Sequence, residues 1–363
     1  MEFFLCYTVN MNYLSIDSDE QIIKLLEQWK INGTQQVAMD FEGEFNLHCY
    51  GEHLCLIQIF DGQNFYLIDP LSADELASEK NAKNLGKPFV PFANSSTRNN
   101  VTENGLRLLL ESPQIEKIWF DCASDGELVW KKFGIRLTRV YDLFKLARVL
   151  GLVGPGLAGN LEALTRRFVE EKKQENQPAS CTDGSAAGSG TNLNPKERIS
   201  EKKRLQQTNW MLRPLTELQL KYALKDVANL FALRKELDAM VKEKKLLPQA
   251  RAAMRGIPQL RKEAVAGYTK LPGYKRLKVH QQVYLRHFFE ARDRVARQLN
   301  KPPYQVLDKH LLVRLSQKAP FIAGQLKAEL GDKSRGARLL LPLMEEANLV
   351  AQREVGAMET VVP

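Results

Sequence analysis

The chain has 363 residues, enough for two or three domains with separate hydrophobic cores. Its 44% hydrophobic and 26% charged residues are typical of a globular protein, and no apolar run approaches membrane-spanning length, so we expect no membrane partner. The five cysteines are scattered without CxxC pairs, which argues against a disulfide framework or a structural zinc site and favours the cytoplasm.

Positive charge is concentrated towards the C-terminus. The chain carries 52 Lys and Arg against 43 Asp and Glu, a net charge of +9, and residues 270–350 hold 16 Lys or Arg against 7 Asp or Glu. Such an asymmetry indicates an acidic partner, of which nucleic acid is the best fit. A solvated helical face explains the same charge run equally well, so composition leaves both interpretations open.

Strands and helices alternate in the N-terminal part. Residues 13–30 predict a short strand and an amphipathic helix capped by Ser18 or Asp19. An antiparallel meander is predicted next, with Asp-Gly at 61–62 as a hairpin signal. The predicted strands are 36–42, 53–60, 64–70 and 115–121. The predicted helices are 104–112, 125–134, 140–154, a long helix within 209–244, and further helices from 277 to a last one around 336–347.

Composition also predicts the domain boundaries. Residues 72–104, rich in Asn and Ser, and residues 171–200, rich in Gly and Ser, are predicted to be exposed insertions. Both fall within a first domain over residues 12–245. The predicted order after it is a helical linker over 246–276, a small all-α domain over 277–350 and a tail over 351–363.

Acidic side chains occur where predicted strands end or predicted helices face inward. In QVAMDFEGEF (36–45), Asp40, Glu42 and Glu44 share one side of an extended strand. In LQLKYALKDVANL, Tyr222 and Asp226 are four residues apart and therefore lie on one helical face. The remaining candidates are Asp125 and Asp142.

Grouped carboxylates repel one another unless cations neutralise them, and Mg²⁺ and Mn²⁺ prefer oxygen ligands. Two such ions can hold the attacking and leaving oxygens of a phosphodiester hydrolysis. The acids, the missing Cys/His cluster and the basic C-terminal part together favour this chemistry. The competing interpretations stay open at this point, because an Asp-x-Glu is common at solvated strand ends and Asp142 can equally bond to the backbone.

Three segments resemble the motifs of one known family. VAMDFE and HLCLIQIFDGQNFYLIDP are similar to the first exonuclease motif of the ribonuclease D family, within the DEDD 3′–5′ exonucleases. NWMLRPLTELQLKYALKDVANLFAL resembles the third motif in its Tyr-x-x-x-Asp form, and FDCASDGELVWKKFGI with VYDLFKLARVLG resembles the second. The resemblance covers about 12–70, 105–170 and 202–245. It implies an α/β fold of the ribonuclease H-like, DnaQ-like type, a mixed sheet flanked by helices.

The C-terminal segment QQVYLRHFFEARDRVARQLNKPPYQVLDKHLLVRLSQKAP resembles the helicase-and-RNase-D C-terminal (HRDC) domain. Such domains are small helical modules that bind nucleic acid or dock to partners. This resemblance implies an all-α, basic second domain that binds nucleic acid.

The resemblance also implies a site and a reaction. Asp40, Glu42, Asp125 and Asp226 are implied as ligands of two Mg²⁺ or Mn²⁺ ions, and Tyr222 as the group that orients, or helps to deprotonate, the attacking water. The implied substrates are single-stranded 3′ ends of structured RNAs such as tRNA precursors, from which a monomeric enzyme would release nucleoside 5′-monophosphates. Glu44 matches nothing in the motif and is expected to face solvent after Gly43.

Two departures from the family pattern leave alternatives open. The second motif of the family has a His five residues before its Asp. Here Asp121 lies four residues before Asp125, one residue short of that spacing, so the motif does not decide between the two acids and Asp121 remains a candidate ligand. The insertions are longer than the family usually carries. Arg213 either contacts a phosphate or pairs with a structural acid.

Rival functions follow from the same features. The first is a DNA-directed 3′–5′ exonuclease of the same fold, since the motifs do not separate RNA from DNA. The second is an inactive RNA-binding scaffold, which the retained acids and Tyr222 argue against. A protein-docking adaptor would leave the acids unexplained.

Overall fold

The computed structural model describes residues 12–71, 101–154, 160–171, 204–255, 266–322, 324–331 and 335–360. Most of both predicted insertions lies outside these ranges. The chain divides into two compact units, the first formed by residues 1–43 and 53–260 and the second by residues 44–52 and 261–363. Among the described helices, none combines the length and the apolar character that crossing a lipid bilayer requires.

A six-stranded mixed sheet organises the first unit, in the order β1-β4-β3-β2-β5-β6. Its strands are β1 (Tyr13–Ile16), β2 (Gln36–Phe45), β3 (Glu52–Phe60), β4 (Phe65–Ile68), β5 (Glu116–Trp119) and β6 (Val140–Asp142). β3 and β4 are antiparallel, whereas β2 pairs in parallel with β5, and β5 with β6. The carboxyl ends of β2, β5 and β6 therefore point to the same edge of the sheet.

The helices of the first unit flank this sheet, which confirms the predicted fold class. They are α1 (Asp19–Ile31), α2 (Glu103–Leu110), α3 (Ala123–Phe133), α4 (Leu143–Val149), α5 (Leu161–Thr165), α6 (Glu217–Ala228), α7 (Leu230–Glu243) and α8 (Leu247–Met254). A single π-helical turn, Arg166–Glu170, continues α5. Of the two predicted caps for α1, Ser18 is the one used, because its side chain accepts from Gln21 N.

Two predicted helices differ in the structure. Residues 140–154 begin as strand β6, because Val140 pairs with Lys117 of β5 and the Asp142 side chain starts α4 by accepting from Phe144 N. The long helix predicted within 209–244 is divided at Asn229 into α6 and α7.

The predicted hairpin at Asp61 is present, and its turn is tied to the core. Asp61 accepts from the backbone N–H groups of Gln63 (2.9 Å) and Asn64 (2.7 Å), as Asx turns do. The same carboxylate accepts from Tyr66 Oη (2.7 Å) and from Trp29 Nε1 (3.3 Å). Asp61 thereby links the β3–β4 turn to the buried indole of α1.

The hydrophobic core explains which face of β2 carries the acids. Val37, Met39 and Phe41 are buried in one cluster with residues of α1, α2 and α3. Side chains alternate along a strand, so Asp40 and Glu42 project from the opposite face. Both are half-buried there.

The second unit is helical. It contains α9 (Val279–Gln298), α10 (Pro303–Val306), α11 (Lys309–Lys318), α12 (Gln325–Leu330) and α13 (Arg335–Thr360), preceded by the 3₁₀ turns Gly267–Lys270 and Tyr274–Arg276. Residues of α9, α11 and α13, among them Phe288, Leu312 and Met344, share one buried core. The loop Glu44–Glu52 belongs to this unit, because Tyr50 Oη donates to Asp293 Oδ2 at 2.7 Å.

Candidate active site

Helix α6 carries the first part of the candidate site. A capping box fixes the start of the helix: Thr216 Oγ1 accepts from Gln219 N (3.2 Å) and Gln219 Oε1 accepts from Thr216 N (3.0 Å). With the start of the helix fixed, Tyr222 and Asp226 follow on the same face. Both side chains are half-buried.

The Tyr222 hydroxyl lies among three of the predicted acids. Burial raises the pKa of Tyr222, and the charges of Asp226, Glu42 and Asp40 and a hydrogen bond to Asp226 raise it further. The phenol therefore keeps its proton at neutral pH. The structure thus brings Asp40 and Glu42 of β2 together with Tyr222 and Asp226 of α6.

Asp125 lies in the first turn of α3, beside a different group of acids. Its Oδ2 accepts a hydrogen bond from Trp119 Nε1 at 2.8 Å. Burial raises the pKa of Asp125, the indole hydrogen bond lowers it, and the charges of Asp121 and Asp142 raise it.

The Asp142 side chain accepts hydrogen bonds from the backbone that precedes α3 and from the first turn of α4. It is 2% exposed and accepts from Asp121 N (2.9 Å), Phe144 N (3.0 Å) and Cys122 Sγ (3.6 Å). Of the two interpretations of Asp142, the structure therefore shows the backbone-bonded acid. Asp121, in contrast, has an exposed side chain and a positive φ of 64°.

Arg213 is engaged within the protein. Its guanidinium donates to Asp69 at 2.6 and 2.9 Å and to the carbonyl oxygens of Trp210 (2.8 Å), Leu212 (2.9 Å) and Cys55 (2.6 Å). The Asp69 side chain is 1% exposed. Of the two interpretations of Arg213, the geometry matches the structural ion pair.

The expectation for Glu44 is wrong. β2 continues to Phe45, and Glu44 is 2% exposed rather than facing solvent. Its carboxylate accepts from Leu47 N, from His48 N (2.9 Å) and from His48 Nδ1 (2.8 Å). These partners follow within four residues in the loop, so Glu44 serves as a local loop cap.

Sequence reasoning missed two buried residues next to the acids. Trp119 is the donor to Asp125, and Gln58 of β3 donates through Nε2 to Glu42 Oε1 at 3.4 Å. Gln58 is fully buried, and its Oε1 has no hydrogen-bond partner within the described ranges. A single amide inside the apolar run HLCLIQIF was the available signal, because buried polar groups need partners.

The donor chemistry of the site fits a hard divalent cation. Asp40, Glu42 and Asp226 supply carboxylate oxygens, and their mutual repulsion around Tyr222 is of the kind that a cation relieves. In the part of the chain that the structure describes, no three His, Cys, Asp or Glu side chains are arranged so that they could hold a metal ion as they stand. The carboxylates thus have the right chemistry for a cation, but their side chains are not arranged as a preformed metal site.

Acidic side chains of β2 lie beside a helix that carries a Tyr-x-x-x-Asp pair, as the sequence motifs predict, and comparison with known proteins agrees. The family model described as 3′–5′ exonuclease matches residues 13–242. The chain belongs to this 3′–5′ exonuclease family.

Known relatives confirm the resemblance to ribonuclease D. Ribonuclease D of Pseudomonas paraeruginosa is 25% identical over 306 residues, which cover 82% of this chain and 66% of that protein. Ribonuclease D of Escherichia coli is 25% identical over 350 residues, covering 94% of this chain and 76% of that protein. The chain therefore spans about two thirds to three quarters of the length of these relatives.

The fold is shared with a solved structure. Escherichia coli RNase D, described as an exoribonuclease involved in structured RNA processing, superposes with a TM-score of 0.63 at 23% identity. The superposition covers 94% of this chain and 76% of that one. The first unit therefore has the exonuclease fold that the sequence motifs predicted.

Proposed function

We propose that this chain is a divalent-metal-dependent 3′–5′ exoribonuclease. The observation that carries the proposal is the grouping of Tyr222 and Asp226 on α6 with Asp40 and Glu42 on β2. The similarity to ribonuclease D favours RNA as the substrate.

In the proposed mechanism, Asp40, Glu42, Asp125 and Asp226 would hold two Mg²⁺ or Mn²⁺ ions, which would supply Lewis-acid stabilisation of the charge that develops during phosphodiester hydrolysis. Tyr222, protonated and hydrogen-bonded to Asp226, orients the attacking water. Attack of this water on the phosphorus of the last phosphodiester breaks the bond from phosphorus to the 3′ oxygen of the penultimate nucleotide, and that oxygen takes up a proton. The released product is a nucleoside 5′-monophosphate, and the shortened strand keeps a free 3′ hydroxyl.

The proposed substrate is the single-stranded 3′ end of a structured RNA, such as a tRNA precursor, processed by a monomer in the cytoplasm. The solved Escherichia coli relative is described as acting in structured RNA processing, which supports this class of substrate. Recognition of an end by shape rather than by base sequence suits trimming of many RNAs.

Digestion of a labelled single strand tests the proposal. With Mg²⁺ or Mn²⁺, we expect a 5′-labelled RNA to shorten stepwise and to release nucleoside 5′-monophosphates, and we expect EDTA to stop the reaction. A DNA strand of the same sequence should be cut more slowly. Shortening that survives EDTA would overturn the metal mechanism, and equal cleavage of DNA would favour the DNA-directed alternative.

We further propose that the second unit binds the RNA backbone. Lys301, Lys309 and Arg314 are exposed on this unit. Replacing all three by Ala is expected to weaken RNA binding and to reduce the slope of log affinity against log salt by about 0.7 for each lost phosphate contact.

Fluorescence anisotropy at several salt concentrations measures this slope. The matched control is Lys318→Ala, because Lys318 is already paired with Glu329 at 2.5 Å. If the triple variant and the control have the same slope, the second unit does not contact the RNA backbone through these residues.

A further inference from the structure

Trp119 occupies a distinctive place in the first unit. It is the last residue of β5 and is fully buried, and the only polar atom of its side chain, Nε1, donates to Asp125 Oδ2 at 2.8 Å. Its ring packs edge-to-face on Phe41, with 4.8 Å between ring centroids and an interplanar angle of 82°. Phe41 lies between Asp40 and Glu42 in β2.

Resting on the proposed function, we propose that Trp119 is a positioning residue that sets the orientation of the Asp125 carboxylate for cation binding. The indole can only donate, so its hydrogen bond fixes the direction of Oδ2 and with it the plane of the carboxylate that would face a cation.

Packing makes the direction of this hydrogen bond rigid. A fully buried ring held by Phe41 cannot turn without disturbing the core, so the position of Nε1 follows from the core. The negative charges of Asp121 and Asp142 act on the same carboxylate. Removing the indole donor would remove the hydrogen bond that holds the Asp125 carboxylate against this repulsion.

The same ring also joins the two strands that lead into the site. β2 and β5 are parallel neighbours with Ala38 opposite Ile118, and the Phe41–Trp119 contact follows where β5 ends. A single indole therefore contacts the strand of Asp40 and Glu42 and holds the acid of α3. Removing a residue that donates a hydrogen bond to a metal ligand typically lowers metal affinity or activity by about 10–100-fold.

Trp119→Phe tests the proposal, because it keeps an aromatic ring in the core and removes the N–H donor. Mn²⁺ binding to the full chain without RNA is measured by isothermal titration calorimetry. We expect about 10-fold weaker binding in Trp119→Phe. We also expect kcat at low Mn²⁺ to fall and to recover as Mn²⁺ is raised, with KM for RNA unchanged.

Trp29→Phe is the matched control. Trp29 is fully buried in the same core and donates through Nε1 to Asp61, a turn residue. We expect this variant to lose a comparable hydrogen bond while its Mn²⁺ affinity stays at the wild-type value. Equal Mn²⁺ affinities in Trp119→Phe and Trp29→Phe would overturn the positioning role.

Asp125→Ala separates this inference from the proposed function. If Asp125→Ala weakens Mn²⁺ binding but Trp119→Phe does not, the ligand assignment stands and the positioning role is wrong. If Asp125→Ala binds Mn²⁺ as the wild type does, the ligand assignment itself fails, and the inference fails with it. Should Trp119→Phe fail to fold, 3-benzothienylalanine at position 119 keeps the ring shape and replaces N–H by sulfur, with the same expected loss.

Discussion

Asp226→Asn is expected to lower kcat on RNA by about 10³-fold, since each 1.4 kcal/mol lost from transition-state stabilisation costs tenfold and a metal ligand contributes several kcal/mol. The amide keeps the shape of the side chain and still accepts a hydrogen bond from Tyr222. It removes the negative charge that a cation requires. Asp40→Asn is expected to show a loss of the same size, because Asp40 belongs to the same group of charges.

The same substitution, Asp226→Asn, should raise the stability of the metal-free protein although it lowers kcat. The negative charges of Asp226, Glu42 and Asp40 are grouped around Tyr222, so removing the charge of Asp226 relieves their mutual repulsion. We expect a higher Tm than wild type without metal and a smaller rise in Tm on adding Mn²⁺. Single-turnover digestion and thermal unfolding, each with and without Mn²⁺, measure the two effects.

Asp238→Asn is the control for this experiment. Asp238 lies on the adjacent helix α7 and accepts a hydrogen bond from Tyr141 Oη. Its replacement should leave kcat and the Mn²⁺ response unchanged. The assignment of Asp226 to the metal site would have to be abandoned if Asp226→Asn retained wild-type kcat and the wild-type rise in Tm.

Arg213→Met is expected to destabilise the protein by about 3–5 kcal/mol, the usual cost of leaving one partner of a buried ion pair behind. Asp69 would keep a buried charge with no cation, and the carbonyl oxygens of Cys55, Trp210 and Leu212 would lose their donor. Urea unfolding measures the change. The double variant Arg213→Met/Asp69→Asn should lose less than the sum of the single variants, because the unpaired charge is gone.

The Arg213→Met variant also distinguishes a structural ion pair from a contact between Arg213 and a substrate phosphate. At a temperature where Arg213→Met is folded, we expect KM for RNA to match the wild type, since the guanidinium donors are committed to the protein. Lys24→Ala, which removes an exposed pair with Glu20, is the control for stability and should cause little measurable change. An unchanged stability together with a raised KM would instead indicate a phosphate contact.

Local patterns predicted most of the first unit. Apolar, β-rich runs placed β2, β3 and β4, and a capping residue before an amphipathic stretch placed α1. The four-residue spacing of Tyr222 and Asp226 correctly placed both side chains on one face of α6. These features depend on neighbours in the chain, so local composition and the helical period of 3.6 residues suffice to find them.

The limits of local patterns appear in the strand β6. VYDLFKLARVLG has apolar spacing that suits a helix throughout, yet its first residues pair with β5. A strand of three residues is stabilised by its partner strand rather than by its own sequence, so periodicity cannot identify it.

The chemical roles of single polar residues depended on tertiary structure. The sequence by itself determined the exonuclease motifs, the acids that could bind a cation and the basic character of the C-terminal part. Only the tertiary structure decided that Asp142 bonds to backbone, that Arg213 pairs with Asp69, that Glu44 caps its own loop and that Trp119 holds Asp125. The physical reason is that a buried polar group must find partners. The ionic partner of Arg213, Asp69, lies 144 residues away in the chain, and the Asp121 N–H that donates to Asp142 lies 21 residues away.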